Sequence, residues 1–198
     1  CIPRWLGTAD AVLAQDANLI TIVGRNYREV KNFNEQANIL YDLLTPDALD
    51  GVIVGSILLE DVLHQEEIRD FYQHLPARVV SIRQSLPGIP HISLDNYQGM
   101  REALVHLIEV HQHRRIAFLR GPAGHRYAEE RYRAYTDVLQ DYQIPFDPNL
   151  VTPPSAWDIS SIEVLLDDRK LCPGRDFEAV VAVCDIAKAI SALNLLQA

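Results

Sequence analysis

Short apolar runs rich in valine and isoleucine recur along this chain, and helical stripes lie between them. The runs are Leu19–Val23, Gly51–Gly55, Arg78–Ile82, Arg115–Leu119 and Ala179–Val183. They are continuous rather than alternating, as strands of a parallel sheet are when both faces are covered. Between them, Phe33, Ala37, Leu40, Tyr41 and Leu44 fall at i, i+4, i+7, i+8 and i+11. Met100, Ala103, Leu104, Leu107 and Ile108 form a second stripe. Pro46 closes the first of these helices, and Asp95 or Asn96 caps the second. Strand–helix alternation of this kind specifies parallel pairing with right-handed crossovers, hence an α/β fold. A further strand is expected at Leu150–Thr152, and a helix at each end of the chain, the last over Ile186–Ala198.

The chain has 198 residues, enough for two lobes of about 100 residues each. The order of elements reads as two α/β units in series, 1–112 and 113–198. The second unit shows fewer strands than a doubly wound lobe normally has, so the expectation is a fold incomplete at both ends. Hydrophobic residues make up 48% and the net charge is −9. That balance argues against this segment gripping nucleic acid by itself, since phosphate backbones need clustered Lys and Arg. It leaves room for a DNA-binding module elsewhere in a longer protein. No apolar run approaches the roughly 18 residues of a membrane helix, and no signal peptide is visible. Cys1, Cys172 and Cys184 form neither a disulfide framework nor a metal motif. They read as reduced thiols of a cytoplasmic protein.

Arg131 is the sharpest candidate for chemistry. It lies at i+3 from Ala128 and i−4 from Tyr135, beside the apolar stripe of a helix starting near Tyr127. From there its fork of donors can reach a ligand's hydroxyls or carboxylate. The plainer alternative is an ion pair with Glu129, Glu130 or a distant acid. Trp157 lies in a turn and can stack on a sugar or base face, or simply anchor its own loop. Asp185 follows the run Ala179–Val183, at the strand end where ligands bind in open α/β sheets. It and Asp95 are equally good helix caps. His106, His111 and His113 raise the question of a metal, but a five-residue spacing on one helix faces poorly. No metal site is expected. No nucleophile elbow, phosphate loop, dinucleotide motif or zinc-protease motif appears, so neither an enzyme activity nor a cofactor is expected.

The order Asp95-Asn96, Gly99, His106-Leu107-Ile108, His113-Arg114-Arg115-Ile116-Ala117-Phe118, Gly121-Pro122, Arg131 and Tyr135 resembles the effector-binding region of the LacI/GalR regulators. Asp50-Gly51-Val52-Ile53 is similar to that family's early strand, and Phe177 to Ala182 followed by Asp185 to a later one. The likeness runs from about Leu19 to Ala198. It implies two Rossmann-like lobes of the type I periplasmic-binding-protein kind, closing on a small-molecule effector, a sugar by first expectation. It also implies that Arg131 holds the effector, that Trp157 packs against it and that Asp185 lies at the cleft edge. A homodimer acting on DNA through another module is the implied setting. The input domain of a sensor kinase or cyclase, or a secreted solute-binding protein, are the alternatives. The chain departs from the pattern at Cys184, where the family has Asn, and at Gln112, where it has Gly.

Overall fold

The computed structural model describes residues 2–22, 44–45, 47–55, 78–83, 88–157, 161–184 and 188–197. The chain forms two compact units, Cys1–Leu94 and Asp95–Ala198. Sequence order alone puts the boundary after Gln112. The units divide earlier because helix α2, Asn96–Glu109, packs on helix α3, Arg126–Asp141, of the second unit.

In the first unit, helix α1 covers Ile2–Ala14. Strands β1 (Gly51–Val54), β2 (Arg78–Ile82) and β3 (His91–Ile92) pair in the order β1-β2-β3, all parallel. The valine-rich runs are thus strands, as expected. The run Leu19–Val23 differs. Residues 19–22 form no strand, and Val23 lies outside the described residues. Leu19 and Ile20 are exposed, and Thr21 accepts a hydrogen bond from the Trp5 indole at 2.9 Å. An apolar run becomes a strand only when a neighbour completes its ladder. The helical stripe from Phe33 falls outside the described residues except for Leu44.

The second unit is built on strand β4, Ile116–Leu119, which pairs in parallel with β5, Ala179–Ala182. Every residue of β4 is buried, and the pleat explains why. Ile116 and Phe118 face one side, where Leu104 and Ile108 of α2 and Ala128, Tyr135 and Val138 of α3 pack. Ala117 and Leu119 face the other, against Ile162, Leu165, Phe177 and Ala192. Period-two alternation with apolar cover on both sides leaves no polar position in the strand. Ala192 belongs to helix α4, Ile190–Gln197; the expected start at Ile186 lies outside the described residues. The expected strand at Leu150–Thr152 is reduced to a 3₁₀ turn at Pro148–Leu150 and a single bridge between Val151 and Phe118. Pro148 cannot donate to a ladder and starts the turn instead.

Polar groups fix the register. Tyr135 buries its ring on Phe118, 4.8 Å between centroids, and donates its hydroxyl to the Ile116 carbonyl at 2.9 Å. Burial pushes the Tyr135 phenol well above its ordinary range. At the start of β4, the Glu178 carboxylate accepts the amides of Arg114 at 2.8 Å and Arg115 at 3.1 Å. It also pairs with the Arg115 guanidinium at 2.9 Å. These bonds, first the Arg114 amide and then that of Arg115, hold the Glu178 carboxyl below the usual carboxylate range.

A group whose titration is depressed by folding stabilises above its unfolded value, about 4.3 for Glu. That contribution is lost as pH falls through the folded value. Glu178→Gln therefore lowers the melting temperature at pH 7, and the gap to the parent closes toward pH 3. Thermal melts at both pH values check this, and a constant gap refutes it.

Candidate functional site

In α/β folds the carboxyl ends of parallel strands are where ligands gather. Here that edge is formed by Arg120 and Gly121 after β4 and by Val183 and Cys184 after β5. Helix α3 brings Arg131 to it. The helix buries Tyr127, Ala128, Ala134, Tyr135, Val138 and Leu139, and Arg131 sits half-buried at the margin of that face. Its Nε and Nη2 donate to Asn96 Oδ1 at 3.1 and 2.7 Å. Its Nη1 donates to the Val183 carbonyl. Asn96 is 7% exposed and donates its own amide to Glu130 Oε2 at 3.3 Å. Charge-assisted bonds of this sort are worth about 1.5–3 kcal/mol each. They tie the first residue of α2 and the end of β5 to one side chain of α3. The two neighbouring acids weighed from spacing have arginine partners of their own. Glu129 holds Arg120 at 3.0 Å, and Glu130 pairs with Arg126 at 2.8 Å.

Trp157 reaches the same edge from the loop after Val151. Thr152 Oγ1 accepts the Arg120 amide at 2.9 Å, and Ser155 donates its amide to the Gly121 carbonyl at 3.3 Å. The Trp157 ring stands edge-on to His125, 4.8 Å between centroids. Its carbonyl accepts the Cys184 thiol at 3.8 Å. Gly121 lies beneath this contact. A Cβ there would come within 3.0 Å of Val183 Cγ1, 3.1 Å of Ala128 Cβ and 3.2 Å of Trp157 Cζ3. The turn after β4 is glycine because side chains from Val183 just past β5, from α3 and from the Trp157 loop close over it.

The structure therefore brings Arg131 and Trp157 together around Val183 and Cys184. Asp95 is exposed, and its carboxylate caps α2 by accepting the Gln98 amide at 2.8 Å. Asp185 lies outside the described residues. Sequence reasoning passed over Asn96 as a partner of Arg131, although it stands in the Asp-Asn motif. It also passed over Arg120, whose guanidinium lies 4.1 Å above the Tyr132 ring. Lys188 was missed as well. It is 0% exposed, and its ammonium donates to Ser155 Oγ at 2.7 Å and Ser161 Oγ at 3.2 Å. A lysine set among Ile186, Ala187, Ala189 and Ile190 was the available signal.

The histidines lie at the far end of α2. His106 and His111 do meet, Nε2 to Nε2 at 3.2 Å. The helix ends at Glu109 and the turn beyond Val110 folds His111 back, so the five-residue helical spacing does not apply. His113 stacks on His111. Among the described residues, no group of three or more His, Cys, Asp and Glu is placed to hold a metal ion.

No family model matches the chain, and no curated protein matches it. Solved structures do. A sugar-binding LacI-family transcriptional regulator from Escherichia coli, complexed with phosphate, superposes with a TM-score of 0.69 at 23% identity. The match covers 98% of this chain and 65% of that one. A LacI-family regulator from Lactobacillus casei with bound glucose gives a TM-score of 0.62 at 22% identity, over 98% of this chain and 70% of that one. One from Mycobacterium smegmatis gives 0.65 at 20% identity, over 93% and 63%. The fold is thus the α/β, parallel-sheet fold of LacI-family regulators. This chain spans 65% of the length of the first of them.

Gly121→Ala should destabilise the second unit by about 1–3 kcal/mol, the usual penalty for overpacking a filled contact. Chemical denaturation measures it, and a change below the fitting error would show that the three neighbours yield freely.

Proposed function

We propose that this chain is the effector-sensing part of a LacI-type transcriptional regulator and that its ligand is a small molecule, a sugar by first expectation. One observation carries the reading. The Arg131 guanidinium stands at the carboxyl end of β5, holding the neutral acceptors Asn96 Oδ1 and Val183 O, with Trp157 bound to the same strand end. A planar fork of donors beside an indole suits a sugar. The fork takes hydroxyl oxygens, and the indole face takes the apolar face of the ring. A ligand oxygen can exchange for the Asn96 oxygen without stranding the charge. In sequence, Asp185 is the next residue after Cys184 and is assigned the edge of the site; Asp95 is assigned a place beside it. The fold supports the reading, because structures sharing it are described with phosphate, glucose and sucrose bound.

The mechanism in this reading is a population shift. Ligand binds one conformer better than another and draws the chain toward it. Coupling of this kind amounts to about 1–3 kcal/mol. A DNA-binding output, a homodimer and a cytoplasmic setting belong to the same proposal. The acidic charge of this segment does not oppose it, because the basic surface would lie on the other module. Among the described residues no helix is long and apolar enough to cross a membrane.

Thermal-shift measurements with glucose, sucrose and inorganic phosphate test the site. A ligand at 100 times its Kd adds about 2.7 kcal/mol, roughly 5–10 °C for a chain of this size. Arg131→Ala lowers the starting melting temperature through the lost Asn96 and Val183 bonds and abolishes the ligand-induced rise. An equal rise in Arg131→Ala would remove Arg131 from the site.

A further inference from the structure

Lys188 is a fully buried cation in a stretch whose neighbours in sequence are isoleucine and alanine. An ammonium taken out of water costs free energy unless oxygens replace its hydration shell. Two of the oxygens it finds are Ser155 Oγ at 2.7 Å and Ser161 Oγ at 3.2 Å. Those serines bracket Trp157, one on each side in sequence. Lys188 itself follows β5, and the Ala189 amide returns to the Cys184 carbonyl at 3.1 Å. The Cys184 thiol in turn donates to the Trp157 carbonyl at 3.8 Å. One short segment after β5 thus grips the Trp157 loop at Ser155, at Trp157 and at Ser161. Of these grips the charged one is the strongest, since hydrogen bonds from an ammonium exceed neutral ones about twofold and an S–H donor is weak.

We infer that Lys188 is a positioning residue of the effector site: its buried ammonium cross-links Ser155 and Ser161 and thereby fixes the Trp157 indole at the end of β5. An apolar side chain of the same length would fill the space without making that link. The indole would then be held by its edge contact with His125 and its packing over Gly121. Lys188 need not touch the ligand; it sets where the aromatic wall stands. Trp157's service as that wall rests on the proposed function, but its placement does not.

The test is therefore read on the ligand-free protein. In a Trp5→Phe background, Trp157 is the sole tryptophan, as the sequence holds only two. Lys188→Met should raise the acrylamide quenching constant of Trp157 about twofold or more, as local opening exposes a held side chain, and shift its emission to the red. Lys188→Arg should restore much of the parent value, because a guanidinium can span both hydroxyls. Ser155→Ala should give a partial increase, and adding it to Lys188→Met should change little further, since both remove one link. If Lys188→Met does not fold, Ser155→Ala and Lys188→Arg still read the link. Quenching unchanged from the parent in the folded Lys188 and Ser155 variants overturns the inference. Loss of ligand response in Lys188→Met without a change in quenching also overturns it, since Lys188 would then act on the ligand directly. If quenching rises as expected but no sugar or phosphate binds the parent protein, the positioning role stands and the effector reading falls.

Discussion

The parallel ladder between β4 and β5 carries the second unit. All of β4 is buried, with α2 and α3 packed on one face and Phe177, the helical segment 162–168 and α4 on the other. A strand with both faces covered exposes its chemistry only at its ends. At the amino end, Glu178 gathers the Arg114 and Arg115 amides and fixes the register. At the carboxyl end, the chain leaves the ladder at Gly121 and Val183, and the polar residues converge there. The site is thus a consequence of the ladder. Its residues come from α2, α3 and two loops that are sequentially distant, and β4–β5 pairing is what gives them a common edge.

Cations at this edge are handled alike. Arg131, Arg120 and Lys188 each stand close to apolar packing, and each has oxygen acceptors within about hydrogen-bonding distance. Arg131 and Lys188 each have uncharged oxygens among their partners, Asn96 Oδ1 and the Val183 carbonyl for the one and two serine hydroxyls for the other. Arg120 draws on a carboxylate and lies over an aromatic ring. The distinction matters for exchange. Displacing a carboxylate from a guanidinium exposes two charges, whereas displacing a neutral oxygen by a ligand oxygen leaves the donor equally served. The Asn96 oxygen on Arg131 is therefore easier to exchange than the Glu129 carboxylate on Arg120.

Much of the fold was legible in the residue pattern because it follows from local burial. The Val- and Ile-rich runs at Gly51, Arg78, Ile116 and Ala179 became strands, and Met100, Leu104, Leu107 and Ile108 became the core-facing side of α2, while Ala103 is exposed. The pattern misled where pairing decides, as at Leu19–Thr21, or where proline preempted a strand, as at Pro148. The unit boundary was also set by tertiary packing, since α2 joins α3 across the loop that sequence order reads as a divide. In the site, Arg131 stood out because a cation lies beside an apolar stripe. Lys188 sent the same signal and was not followed, while Asn96 and Gly121 carry none by type. Their roles exist only through long-range contacts, with Arg131 thirty-five positions on and with Val183, Ala128 and Trp157.

A fork already satisfied before ligand arrives changes what the site can achieve. Exchanging the Asn96 oxygen for a sugar hydroxyl conserves the count of hydrogen bonds, so its net gain is small compared with the gross strength of each bond. In the proposed site, affinity would then come mainly from apolar area covered by the indole, about 25 cal/mol for each Å². The fork would instead supply rejection: a ligand that displaces Asn96 without offering an oxygen removes an acceptor from a half-buried guanidinium, at a cost of about 1–3 kcal/mol. In the proposed function, Trp157 would set how tightly a ligand is held and Arg131 which ligands are admitted. On that division, a firmly placed indole would be the gain set against the desolvation of the buried Lys188 ammonium.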